Sequence, residues 1–491
     1  MLLKKHIHKL SLLTTFMIMG TQPLMATTLP GLSIPTAITE ISEKETEVSI
    51  DYTQYITEDK LLLPRNLYVL KGSATSGERL NIFYRNALLT LSDHFMMSGY
   101  SSYGQCLTGR WLYKTLSDDS LLPNEPFTID FTTRTDRGRT TQSMTVELVD
   151  NSNTTPVRLL PIGDSLTRAG VYLSQVVNSI PNVTTLGTRY YPTDGIPVRE
   201  GRGGWTLEKY FTYIDSAQLD SPFVFPTDVS GAHYKGNTRD WKAICYTAPN
   251  DPAYNGFQKI ARGWMDEGEF LYDENGYYKY PIIGDVMVDP TLPEGSQWIE
   301  WNGFDWQTMM IQPTQFEFNF TKYMDRYKAA FTNGTPTHVS ILLGANEFGY
   351  NKEIAEIDLF INRLNEMINS IQTYDPSIKI IHCTPTIAPN ASLVTASTKT
   401  FYKEYDLRVK YVASKLLEAF DTDEALARQI YIAPMTLTLD ATHGYNYIEK
   451  NEIINGFTNF VTDAANSIHP SNECGQLQMG STLAAVIQKF R

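Results

Sequence analysis

The chain has 491 residues, 42% of them apolar and 19% charged, enough to bury large cores and too few charges for a mostly disordered chain. That length makes two domains the starting expectation. The formal net charge of −13 disfavours unspecific binding to nucleic acid or an anionic membrane, and no lysine–arginine cluster reverses it locally.

Lys4, Lys5 and Lys9 precede an apolar stretch from Leu10 to Gly20, and small residues follow near Ala26. Charge, apolar stretch and small residues in that order predict an export signal over 1–26, leaving a soluble periplasmic or secreted protein. A retained N-terminal anchor is the alternative, although the stretch is short for a bilayer and no later run is long enough to span one. Cys106, Cys245, Cys383 and Cys474 are widely spaced. Export permits disulfides, and the sequence does not rank the three full pairings; buried thiols with at most one bridge are the simplest reading. No Cys-x-x-Cys or His-Glu-x-x-His pattern points to a metal, and no cofactor is expected.

Residues 27–155 read as an all-β sandwich domain. Leu67–Leu70, Leu80–Tyr84, Phe127–Phe131 and Met144–Leu148 are short strand-like runs between clusters of Gly, Ser, Asp and Asn. The character changes at Val157, opening a second domain over 156–491. Val157–Ile162 is an apolar strand ending in a Gly163-Asp164-Ser165 turn, after which Leu173, Val176, Val177 and Ile180 recur at helical spacing. His338–Leu343 is a second strand, followed by an amphipathic helix carrying Ile354, Ile357, Ile361, Leu364, Ile368 and Ile371. Ile378–Cys383 and Gln429–Met435 read as further strands, separated by a helix near Tyr402–Phe420, and Gly475–Lys489 as a last helix. Such alternation implies an α/β domain built on a mostly parallel sheet. Residues from about 221 to 313 break it with an aromatic-rich insertion containing Trp241, Trp264, Trp298, Trp301 and Trp306. A structureless loop of that length is improbable, so an ordered excursion beside the site is expected.

A serine at the carboxyl end of a parallel strand, opening a helix, sits where such folds place their ligands. Its hydroxyl is a weak nucleophile unless a base removes its proton, and Gly-Asp-Ser alone reads equally as a turn and a helix cap. Three later segments bear on the choice: Gly201-Arg202-Gly203-Gly204-Trp205, Gly344-Ala345-Asn346-Glu347 and His469-Pro470-Ser471.

With these four segments in this order, the chain from Val157 to Arg491, apart from the insertion, resembles the SGNH (GDSL-type) hydrolases. The strand-rich part more weakly resembles the sandwich that precedes this domain in some secreted bacterial carbohydrate esterases. The resemblance implies a flavodoxin-like fold, Ser165 as nucleophile and His469 as general base. It also implies an oxyanion hole formed by the Ser165 and Gly204 backbone N–H groups and the Asn346 side-chain amide. Aimed donors of this kind contribute a few kcal/mol each to the transition state, and glycine lets the backbone approach closely. Pro470 biases His469 away from helical geometry.

One position departs from the pattern. The family's aspartate stands three residues before the histidine, where this chain has Asn466. In the serine-protease template the corresponding Asp-to-Asn change lowers turnover by about 10⁴. A Ser–His dyad, Asp463 or Asp440 as the orienting acid are the competing explanations. Asp440 and His443 form a second pair at the family's spacing, but Pro470, Ser471, Gly475 and Met479 follow His469 as the family's last block does. The resemblance favours loss of O-acetyl groups from a polysaccharide; the partner is then an acylated carbohydrate or another small ester. A lipase-like or aryl esterase is the nearest alternative, and a carbohydrate-binding protein on a degenerate hydrolase scaffold the alternative from another class.

Overall fold

The computed structural model describes residues 50–71, 79–114, 125–188, 198–211, 221–227, 233–234, 285–288, 292–302, 306–310, 315–327, 331, 333–351, 353–390, 396–454, 457–464 and 468–491. The expected export signal, Cys245, Trp241, Trp264 and Asn466 lie outside them. Among the described residues no helix is long and apolar enough to cross a membrane, and no cluster of His, Cys, Asp and Glu has the makings of a metal site. The three cysteines among them, Cys106, Cys383 and Cys474, are free thiols.

The parallel sheet contains β1 (Val157–Gly163), β2 (Val183–Thr185), β3 (His338–Leu342), β4 (Lys379–Cys383) and β5 (Ile430–Ala433), with neighbours in the order β2-β1-β3-β4-β5 and every pair parallel. That is the 2-1-3-4-5 order of doubly wound open sheets, whose ligands bind between β1 and β3, where the order reverses. Every residue of β3 is buried, as are the last four of β4 and all of β5. A strand covered on both faces reads as a continuous apolar run, which is why these strands stand out in the sequence. The polar exceptions include Ser340, His338 and His382, the two histidines each pushed down to about 3 by burial and so neutral parts of the core.

Its helices include α1 (Ser165–Ala169), α2 (Val171–Ser179), α3 (Ile357–Tyr374), α4 (Ala396–Phe420) and α5 (Gly475–Phe490). In α3 the residues Ile357, Phe360, Leu364, Met367, Ile368 and Ile371 are buried, one stripe at the 3.6-residue period. Helix α5 shares a cluster with β1 and α2: Met479, Leu483 and Ile487 pack with Leu159, Leu173 and Val176.

The four runs expected as strands before residue 155 are strands. Asn66–Leu70, Gly138–Val149, Phe127–Thr135 and Phe95–Tyr100 form one sheet in that order, and Arg79–Phe83, Arg110–Lys114 and Gln105–Leu107 another. Leu67, Phe131 and Val146 from the first sheet and Ile82 and Trp111 from the second belong to one buried cluster, joined by Leu437 from beyond β5. Tyr68 and Leu70 pack in turn against the α5 cluster, and residues 51–491 form one compact unit.

The insertion is ordered where it is described. His233–Tyr234, Asp285–Val288, Trp298–Trp301 and Trp306–Thr308 line up as a four-stranded sheet. Trp298 is buried and stacked on Phe316 with ring centroids 5.0 Å apart, so it packs rather than offering a face to a sugar. Between β5 and α5 lies a hairpin, Tyr447–Ile454 and Phe457–Ala464, that the sequence reading did not anticipate.

Candidate active site

Strand β1 ends at Gly163, Asp164 caps α1, and Ser165 is the first residue of that helix. The Asp164 carboxylate accepts the Leu166 N–H at 3.0 Å, satisfying one of the donors that a helix start leaves open. Asp164 is 2% exposed, and burial raises its carboxyl to about 7, against the opposing pull of the Leu166 and its own N–H. As the first helical residue, Ser165 has an N–H with no intrahelical acceptor. The structure brings its hydroxyl to His469 across 304 residues of chain, with Oγ 2.7 Å from Nε2. Burial lowers the His469 imidazole below its ordinary value, keeping the ring neutral and able to take a proton.

The second segment reaches Ser165 through a two-residue strand, Glu200–Gly201, parallel to the end of β1, with Gly201 opposite Gly163. A Cβ on Gly201 would lie 2.0 Å from the Arg168 backbone nitrogen, so only glycine allows this strand against α1. The Gly163 carbonyl accepts the Arg202 N–H at 2.9 Å, and the Tyr210 hydroxyl lies 2.8 Å from the same oxygen. Beneath them Arg202 and Glu200 form a fully buried ion pair at 2.8 Å. Glu200 also accepts the Thr188 N–H at 2.6 Å and the Tyr323 hydroxyl at 2.6 Å. Beyond this anchor the chain turns at Gly204, whose φ of +71° lies in the left-handed region and whose Cβ position is open for 4 Å. Here glycine serves the backbone conformation, and open space lies where a side chain would start.

The third segment follows β3. Gly344 takes a φ of +109° and leads into a π-helical turn, Ala345–Tyr350, a distortion found frequently at functional sites. Asn346, 9% exposed, donates through Nδ2 to the Trp205 carbonyl at 2.8 Å, which places its amide next to the Gly204 turn. Glu347 completes the link: Oε2 accepts the Gly344 N–H at 3.0 Å and Oε1 accepts the Leu207 N–H. One carboxyl therefore ties the loop after β3 to the loop carrying Gly204. Burial raises that carboxyl to about 8, with repulsion from Asp164 adding to it. Nothing in the local sequence marks Glu347 for this role, because one of its two acceptances reaches a loop 140 residues away.

The competing acids fall in different places. The Asp440 carboxylate is engaged by His443: Oδ1 accepts the Thr442 and His443 N–H groups at 2.8 and 3.1 Å, and Oδ2 lies 2.9 Å from His443 Nδ1. That pair is self-contained, with the His443 side chain 73% exposed, and Ser165 meets His469 instead. Asp463 stands opposite Ile448 on the hairpin; its side chain, like Asn466, lies outside the described residues. Gly444 links the two histidine segments, its carbonyl accepting the Ser471 N–H at 2.7 Å.

No family model and no curated protein matches this chain. Among solved structures it is similar to a carbohydrate esterase family 3 protein from Talaromyces cellulolyticus, at 12% identity over 68% of this chain and 98% of that one, with a TM-score of 0.30. It is also similar to an acetyl esterase mutant with acetate ion, at 11% identity, the same coverages and a TM-score of 0.29. A possible lipase from Chitinophaga pinensis DSM 2588 matches equally, at 11% identity, 68% and 98% coverage and a TM-score of 0.29. Scores of this size leave the functional reading to the chain's own residues: a serine–histidine pair at the carboxyl end of a parallel sheet.

Proposed function

We propose that the chain is an exported serine ester hydrolase of the SGNH type that removes O-acetyl groups from a polysaccharide. The observation that carries this reading is the 2.7 Å approach of Ser165 Oγ to His469 Nε2 at the head of α1. Ser165 Oγ attacks the ester carbonyl carbon as its proton passes to His469. The carbonyl oxygen becomes an oxyanion, met by the Ser165 and Gly204 N–H groups and the second Asn346 Nδ2 hydrogen. Collapse expels the sugar alkoxide, which takes the proton from His469 and leaves an acetyl group on Ser165. Water, deprotonated by His469, attacks that acyl carbon and releases acetate and free Ser165. Substitution of one oxyanion donor lowers turnover by about 10² to 10³ in comparable sites.

The N-terminal order of charge and apolar residues supports export; a mature chain beginning near Thr27, read by mass from a cell-free or periplasmic fraction, is the expected product. For the reaction, the purified chain and its Ser165→Ala variant are assayed for acetate release from p-nitrophenyl acetate and from acetylated xylan and pectin. The expected result is a loss of at least about 10³-fold in the variant, with the glycans outperforming the small ester. Preference for long-chain acyl esters would move the assignment to a lipase-like enzyme. Wild-type turnover no better than that of the variant on every ester would leave a glycan-binding scaffold, the reading that Asn466 favours.

A further inference from the structure

A groove of about 520 Å³ runs along the seam between the strand-rich part and the parallel-sheet part. Its floor is the turn carrying Arg85 and Asn86, one wall is the hairpin turn ending at Arg110, and the other holds Asn390, Thr442 and His443. The walls are built rather than accidental. Asn390 N–H donates to the Ala441 carbonyl at 2.9 Å, Tyr84 N–H to the Gly109 carbonyl at 2.9 Å, and Asn86 Nδ2 to the Leu439 carbonyl at 2.7 Å.

The lining has a consistent chemistry. In a chain of net charge −13 this groove is lined by two arginines and a histidine and by no aspartate or glutamate. Arg85 is ion-paired with the buried Asp406, whereas Arg110 lies partly exposed on the hairpin turn with its guanidinium uncompensated by an acid of the lining. Asn86 is 1% exposed, and its Oδ1, like Nη1 of Arg85, is buried without a hydrogen-bond partner. Unsatisfied buried polar atoms are uncommon and call for a reason. Arginine beside amides and a hydroxyl suits a ligand that combines a carboxylate with many hydroxyls.

The groove is tied to the site through the backbone. His443 leads to Gly444, which is bonded to Ser471, two residues beyond His469. We infer that this seam groove binds a uronate-bearing stretch of the polysaccharide, holding the chain while an ester farther along it is presented to Ser165. This deepens the proposed function and rests on it for the glycan nature of the ligand.

The test uses the full chain as Ser165→Ala, so that nothing is turned over, with a de-esterified oligogalacturonate and a neutral xylo-oligosaccharide of equal length as calorimetric probes. Arg110→Gln and His443→Ala are made in that background and in the active chain. The expected result is binding of the oligogalacturonate that weakens with salt and is at least about tenfold tighter than that of the neutral probe. Arg110→Gln is expected to weaken it about tenfold or more and to leave p-nitrophenyl acetate hydrolysis unchanged. Equal affinity for the two probes, no oligogalacturonate binding, or binding indifferent to Arg110→Gln would overturn the proposal. Hydrolysis of p-nitrophenyl acetate reports separately on the esterase reading, so failure of the groove and failure of the reaction are distinguishable.

Discussion

Replacing Glu347 by glutamine tests how the two loops of the candidate oxyanion hole are held together. The native carboxyl accepts two backbone N–H groups, from Gly344 and Leu207, and is fully buried. Glutamine offers one carbonyl oxygen and turns its amide against the other donor, an expected cost of about 1–3 kcal/mol. A second effect depends on pH. Burial holds the native carboxyl at about 8 against an ordinary 4.5, so the folded chain keeps its proton more tightly than the unfolded chain does. The stability this contributes is complete below about 4.5 and is lost as pH rises toward 8, on the order of 3–4 kcal/mol between pH 5 and 8. Glutamine cannot ionise and loses none of it. The variant should therefore be less stable than the parent at pH 5, and the gap should close or reverse by pH 8. Urea midpoints followed by circular dichroism across that range read both effects. A gap that stays constant or widens with pH would refute the argument, because it would mean that Glu347 is ionised and stabilising throughout.

Three further outcomes follow from the same geometry. His469 acts only while neutral, and burial lowers its pKa, so the acid limb of kcat/KM is expected below pH 6.5; a limb at or above 6.5 would contradict the burial argument. Glu200→Gln removes the charge of the carboxylate paired with Arg202 in a site that is 1% exposed, and the urea-derived stability should fall by about 3–5 kcal/mol, an effect that a surface pair would not produce. Asp440→Ala should leave kcat within about tenfold of the parent, since its carboxylate is engaged by His443; a loss near 10⁴ would make it the orienter of His469.

The parallel sheet was legible because burial on both faces demands continuous apolar runs, and β1, β3, β4 and β5 meet that demand almost residue for residue. The Gly163-Asp164-Ser165 turn, the two glycine-bearing loops and His469 stood out through their order along the chain, which resembles that of the SGNH hydrolases, and the structure brings Ser165 and His469 within hydrogen-bond distance. Helix α4 begins at Ala396, earlier than its apolar pattern suggested, because the first turn is made of Ser397, Thr398 and Lys399, which carry no periodicity. The Tyr447–Ala464 hairpin carries no apolar alternation over Glu449, Lys450, Asn451 and Glu452 that would mark it as a strand. Nor did the sequence expose Glu347 as a brace or the partnership of Arg85 with Asp406, 321 residues apart. Contacts between a polar side chain and a distant backbone group or charge leave no local pattern. The Asp440–His443 pair shows the converse: correct spacing produced a real hydrogen bond that does not involve Ser165.

Helix α5 covers α2 and β1 on one side and meets strand Asn66–Leu70 on the other, and Lys489 and Gln488 reach back to Glu147 and the Asp150 carbonyl. His469 precedes that helix by only a few residues, while Ser165 was laid down 304 residues earlier. A polypeptide halted before residue 475 thus carries the serine, both glycine-bearing loops and even the histidine, yet lacks the element that seats them. Until that amphipathic segment docks, Ser165 and His469 are not held together, and its docking would act as the arming step.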